Sequence, residues 1–138
     1  TFGPLTGNAK FSYALTNMFG TVNSNGSTYP EINLNYDTGV WGVGVNAHAG
    51  IQTFAGTAPN GTQYYNGTVV PNGTNNNSLY SYSDWKFGVS KDFGGGLGAG
   101  VAYTGTNIKN FYGYSAYSSP NGSNLGKSQW IVNLTKTF

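Results

Sequence analysis

The stretch VWGVGVNAHAGIQTF at residues 40–54 decides the fold. Its odd positions carry Trp41, Val43, Val45, Ala47, Ala49 and Ile51, while its even positions carry Gly42, Gly44, Asn46, His48, Gly50 and Gln52. Apolar and polar residues change place at every step, which is the period of a pleated strand whose side chains point alternately to opposite faces. A helix would return apolar residues every third or fourth position, and this stretch does not.

The same period extends to both sides of that stretch. Residues 9–17 set Phe11, Tyr13 and Leu15 against Lys10, Ser12, Ala14 and Thr16, and residues 28–38 set Pro30, Ile32, Leu34 and Tyr36 against Glu31, Asn33, Asn35 and Asp37. Further on, residues 84–92 oppose Trp85, Phe87 and Val89 to Asp84, Lys86, Gly88 and Ser90. Residues 97–106 oppose Leu97, Ala99, Val101 and Tyr103 to Gly98, Gly100, Ala102 and Thr104, and residues 129–138 oppose Trp130, Val132, Leu134 and Phe138 to Asn133, Thr135 and Thr137. The spacing predicts an all-β domain over residues 1–138, an antiparallel up-and-down meander of about six strands with one dry and one wet face.

The connections alternate in length. Asp37-Thr38-Gly39 and the run Asp92-Phe93-Gly94-Gly95-Gly96 are short and carry the glycines that tight hairpins require. Residues 18–28, 55–83 and 107–127 are long and rich in Asn, Gly, Ser, Thr and Tyr, with Pro59, Pro71 and Pro120 each opening a Pro-Asn-Gly turn. Short turns therefore lie at one end of the meander and long loops at the other.

Composition narrows the setting. Only 7% of the 138 residues are charged, against roughly a quarter in ordinary soluble domains. The net charge of +2, from six Lys, no Arg and four carboxylates, supplies no basic stripe for a phosphate backbone, so nucleic acid is excluded as a partner. The absence of cysteine removes disulfides and thiolate chemistry. No apolar run reaches the ~18 residues of a membrane-spanning helix.

Strands near ten residues, alternating apolar-out and polar-in, with short turns at one end and long loops at the other, are the signature of an outer-membrane β-barrel. A soluble β-sandwich would alternate in the same way; the scarce charge and the asymmetry of the loops favour the barrel. Lys10, Glu31, Asp37, Asp84, Lys86 and Asp92 fall on the polar face, and Lys91 and Lys136, on the apolar face, adjoin strand ends where a lysine can snorkel. Interface aromatics are expected as two belts, Tyr36, Trp41, Phe93 and Phe138 near the short turns and Tyr29, Trp85, Tyr103 and Trp130 near the long loops.

The stretches LTGNAKFSYALTNMFG (5–20), PEINLNYDTGVWGVGVNAHAG (30–50), YSDWKFGVSKDFGGGLGAGVAYTGTN (82–107) and the terminal LGKSQWIVNLTKTF resemble the Gcw_chp family of TorF-type outer-membrane porins. The run SDWKFGVSKDFGGG followed by AYTGTN is the most specific part. The resemblance implies a porin, with this chain matching the C-terminal part of the family pattern and further strands preceding it. Six strands are few for closure, since single-chain barrels start at about eight. Completion by further strands or by neighbouring copies is therefore expected. Phe138, with alternate apolar residues before it, also resembles the C-terminal signal of outer-membrane barrels.

Catalysis is not expected. His48 is the single imidazole, and nothing in the sequence places a carboxylate beside it; a lumen-lining or structural role is the simpler reading. The carboxylates lack the close spacing of a metal loop, so no metal and no cofactor is expected. Gly94-Gly95-Gly96-Leu97-Gly98-Ala99 approaches a dinucleotide fingerprint, but a strand follows where a helix is required, so it reads as a hairpin turn. The Asn-Gly-Ser/Thr sequences at Asn25, Asn60, Asn66, Asn72 and Asn121 read as turns more readily than as glycosylation sites. Tyr64, Tyr65, Tyr80, Tyr82, Tyr112, Tyr114 and Tyr117 in the long loops are expected either to stack on sugars or a neighbouring molecule, or to pack the loops together.

The expected function is passive diffusion of small solutes across the bacterial outer membrane, with the lipid bilayer as partner and self-association of copies. Lys10, Glu31, Asn33, Asn35, Asp37, Asn46, His48, Gln52, Asp84 and Lys86 would line the lumen. The alternative is a secreted, β-rich fibre or matrix subunit that assembles through its sheet edges, favoured by the same low charge and β-propensity.

Overall fold

The computed structural model describes residues 1–63, 67–111 and 113–138. Antiparallel pairing builds one six-stranded sheet from β1 (Leu5–Tyr13), β2 (Thr28–Asp37), β3 (Val43–Gln52), β4 (Tyr82–Gly94), β5 (Leu97–Thr106) and β8 (Gln129–Lys136), in the order β1-β2-β3-β4-β5-β8. Between β5 and β8 the chain adds a small hairpin of β6 (Asn110–Phe111) and β7 (Tyr114–Ser115). The sheet does not close, and β1 and β8 are its edges.

Register carries the sequence period through all six strands. One row runs Gly7, Leu34, Ala47, Phe87, Tyr103, Trp130 and the next Leu5, Tyr36, Val45, Val89, Val101, Val132. The opposite face carries the row Asn8, Asn33, His48, Lys86, Thr104, Gln129. A slip of one residue at any pairing would exchange the faces of a whole strand, so the apolar pattern pins each register.

The strand bounds differ from the sequence reading where local geometry intervenes. The first strand covers Leu5–Tyr13 where 9–17 is expected, because Leu5 and Gly7 pair with Tyr36 and Leu34 despite the weak alternation around Gly7 and Asn8. The third begins at Val43 and not Val40. Gly39, Trp41 and Gly42 take φ of 67°, 53° and 68°, which makes residues 38–42 a wider turn. Inside it Thr38 Oγ1 donates to Val43 O at 2.7 Å and Gly39 N donates to Asp37 Oδ1 at 2.9 Å. Trp41 therefore projects from the turn, largely exposed.

The buried apolar core lies in the loops and not on the sheet. Phe54, Ala58, Val70 and Leu79 are buried there, with Tyr80, Phe111 and Ala116 packed on the cluster of Ala58, Val70 and Leu79. A one-turn helix, α1 (Asn76–Tyr80), which the period-two reading does not anticipate, supplies Leu79; its N-cap Asn75 accepts from Asn77 N at 2.8 Å. Two matching pieces, APNGT (58–62) and VPNGT (70–74), build the rest. In each, Thr donates through N and Oγ1 to its own Pro carbonyl, closing the expected turn. The pieces then exchange bonds, Ala58 N to Thr74 O at 2.9 Å and Val70 N to Thr62 O at 2.8 Å, which turns Ala58 and Val70 inward together.

Buried polar groups tie the loops to one another. Asn76 donates to Val22 O at 3.1 Å and Ala55 O at 2.9 Å, Ser27 Oγ accepts from Ala55 N at 3.0 Å, and Ser81 Oγ accepts from Phe54 N at 2.8 Å. Burial pushes the Tyr80 phenol above its ordinary pKa, and its ring lies 5.4 Å from that of Phe54. Of the loop tyrosines, Tyr117 donates to Tyr80 O at 2.6 Å and stacks edge-on with Tyr82, so these three pack the loops together. Tyr64, Tyr65 and Tyr112, and the turn at Asn66, lie outside the described residues.

Leu79→Ala removes the centre of this small core. It should destabilise the loop layer by about 2–5 kcal/mol. Proteinase K should then cut residues 55–81 faster while circular dichroism still reports the strands.

Candidate functional site on the polar face

The polar face brings together residues that are far apart in the chain. Antiparallel register sets Lys10 beside Glu31, Asn33 beside His48 and His48 beside Lys86, and Asn35 beside Asn46. Lys10 Nζ lies 2.9 Å from Glu31 Oε1, an ion pair whose lysine is largely exposed and which solvent therefore screens.

At the loop end of this face the side chains converge. His48 Nε2 lies 2.7 Å from Asp84 Oδ1 and His48 Nδ1 2.8 Å from Asn33 Oδ1, and Asn33 Nδ2 donates to Asn8 Oδ1 at 3.2 Å. Tyr29 donates its hydroxyl to Asp84, 2.9 Å from Oδ2 and 3.1 Å from Oδ1, and the same hydroxyl stands 3.2 Å from His48 Nε2. A continuous chain of polar contacts thus runs Asn8, Asn33, His48, Asp84, Tyr29 and ties β1 to β4. The side chains of His48 and Asp84 are 18% and 20% exposed, so the pair is shielded yet reachable from solvent.

Glycine makes this convergence possible. The Tyr29 ring lies over Gly50, where a Cβ would come within 2.6 Å of Tyr29 Cζ. The Asn46 amide likewise lies over Gly88, and the Asn133 amide over Gly100. Alternate glycines on the polar face therefore hold neighbouring side chains flat against the sheet.

Of the residues expected on this face, Lys10, Glu31, Asn33, Asn35, Asp37, Asn46, His48, Asp84 and Lys86 share it by register. Gln52 shares it too but is buried by the loop layer, donating to Thr28 O at 3.1 Å. Tyr29, expected in the loop-end aromatic belt, turns to the polar face, because its odd position in β2 matches Glu31 and Asn33. The carboxylate beside His48 is Asp84, brought there by β3–β4 pairing across a long loop that no local spacing encodes. Among the described residues no group of three or more His, Asp and Glu side chains could hold a metal ion.

The apolar face carries the remaining aromatics. Trp85, Tyr103 and Trp130 form a ladder with ring centroids 5.3 and 4.9 Å apart toward the loop end. At the short-turn end Lys91 donates to Trp41 O and Lys136 to Gly95 O, and each ammonium stands over a ring, Phe93 at 5.5 Å and Phe138 at 5.7 Å. Both lysines thus carry their charge off the apolar face to the turns, as snorkelling requires.

A family model described as a bacterial protein of unknown function (Gcw_chp) matches residues 1–138. Neither a curated protein nor a solved structure matches the chain.

Gly50→Val should collide with the Tyr29 ring and lower stability by about 1–3 kcal/mol in denaturant unfolding. In the double variant with Tyr29→Ala, most of the Gly50→Val cost should vanish, because both substitutions act through the same ring.

Proposed function

We propose that this chain, which belongs to the Gcw_chp family of bacterial proteins, forms the wall of an outer-membrane β-barrel through which small solutes diffuse passively. The observation that carries this reading is the apolar face. Ile32, Leu34, Tyr36, Phe87, Val89, Val101, Trp130, Val132 and Leu134 are all exposed on one side of a single sheet, Val132 at 80% and Leu134 at 76%. Soluble monomers rarely leave contiguous apolar patches above a few hundred Å² uncovered. In a bilayer the same face is satisfied, and aromatic residues with snorkelling lysines at the short-turn end match a headgroup boundary.

On this reading the loop layer covers one mouth, and Lys10, Glu31, Asn33, Asn35, Asp37, Asn46, His48, Asp84 and Lys86 face the lumen. Both signs of charge occur there, so the channel should discriminate little between cations and anions. The open edges β1 and β8 would be completed by further strands or by copies of the chain, since an unpaired strand in lipid leaves its N–H and C=O groups unsatisfied.

The open edges also support a second reading, a secreted fibre subunit growing by edge-to-edge strand addition. Solubility separates the two. A barrel should be extracted by detergent as discrete particles, whereas a fibre should pellet as filaments without it.

For the membrane reading, brominated acyl chains should quench the fluorescence of Trp85 and Trp130 in vesicles. Val89→Lys, at the middle of the apolar face, should cost about 2–4 kcal/mol of stability in lipid, while Ser90→Lys on the other face should cost little. Single-channel recording should show conductance with weak ion preference. Unquenched tryptophans, or tolerance of Val89→Lys, would overturn the assignment.

A further inference from the structure

A concavity lies where the polar face meets the third long loop. It has a volume of about 560 Å³, within the ~300–1,000 Å³ common to small-molecule sites. Its walls include Tyr29, Tyr82, Asp84, Tyr117, Ser118 and Leu125. Three phenol rings, one carboxylate and a rim hydroxyl therefore face one space, and no lysine lines it.

These walls are held before any ligand arrives. Tyr29 is fixed by its bonds to Asp84 and its seat on Gly50, and Tyr117 by its bond to Tyr80 O at 2.6 Å. Tyr82 and Tyr117 meet edge to face at 85° with centroids 5.3 Å apart, so they wall a corner at nearly a right angle. Fixed walls reduce the ordering cost of binding.

From this geometry we infer that the concavity is a binding site for a neutral pyranose sugar. The flat C–H face of a pyranose ring suits an aromatic wall, which offers apolar contact area with a polar tip. Its hydroxyls can donate to Asp84, a carboxylate with about four acceptor sites, where Tyr29 reaches both oxygens and His48 only Oδ1, leaving acceptor capacity on Oδ2. Sharing with two donors also weakens the pull of Asp84 on a bare organic cation. An anion meets a carboxylate and no cation in the lining. The site stands on the geometry of the folded loops and does not rest on placement of the sheet in a membrane.

Saturation-transfer difference NMR on the purified protein, with or without detergent as its solubility requires, tests this with glucose, N-acetylglucosamine and maltose, and with choline and acetate as charged competitors. At least one sugar should give saturable transfer that neither charged probe displaces. Tyr82→Ala and Asp84→Asn should each weaken it about tenfold, while Lys127→Ala should leave it unchanged. Leu125→Trp, at an exposed rim position, should block the site and abolish transfer while circular dichroism still reports the fold. No saturable transfer from any of the three sugars to the folded protein, displacement by choline or acetate, or undiminished transfer in Leu125→Trp would overturn the inference. Conductance plays no part in the readout, so its loss would leave the sugar site standing and its presence would not rescue it.

Discussion

Everything in this structure depends on the pleat of an antiparallel sheet repeated over six strands, interrupted by a register shift between Asp92 and Gly94 at the β4–β5 turn. Each strand puts alternate side chains on opposite faces, and the register of each pair passes that division to its neighbour. Among the described residues the result is one six-stranded sheet with an apolar side and a polar side, and the loops cover only one end of it. Burying one large apolar side chain contributes about 1.5–3 kcal/mol, and the strands leave most of that gain unrealised while both faces stand open. The apolar side therefore stands uncovered, with lysines reaching only its short-turn end, and the proposed membrane setting would supply its cover.

The polar side solves a different problem. Groups such as Asp84 and His48, partly shielded from water, need partners, because an unsatisfied shielded polar group costs about 1–3 kcal/mol. The chain from Asn8 to Tyr29 provides them across four strands. Glycines at positions 50, 88 and 100 give up their own side chains so that those of their neighbours can lie flat. The same glycines that weaken a strand by themselves thus strengthen the coupling between strands.

The loops compensate for the missing sandwich. Among the described residues the compact apolar cluster forms from Ala58, Val70 and Leu79 in the loops, and buried serines and asparagines join the first long loop to the second. This end of the sheet is consequently a folded cap with a concavity beneath it, while the other end is made of turns.

Six strands, their faces, the short and long connections and the Pro-Asn-Gly turns were legible in the sequence, because period two and turn glycines are local signals that need no tertiary information. The exact starts of the first and third strands were not, because pairing with β2 and the positive φ of Trp41 override local alternation. The one-turn helix was hidden because five residues carry too little periodicity to register. By itself the sequence determined which residues share a face. Only the tertiary structure decided which of them touch: Asp84 reaches His48 because β3 and β4 pair across a long loop, and the Tyr29 hydroxyl reaches Asp84 with its ring lying in the space that Gly50 leaves open. Contacts of that kind depend on register between distant segments, and no spacing along the chain encodes them.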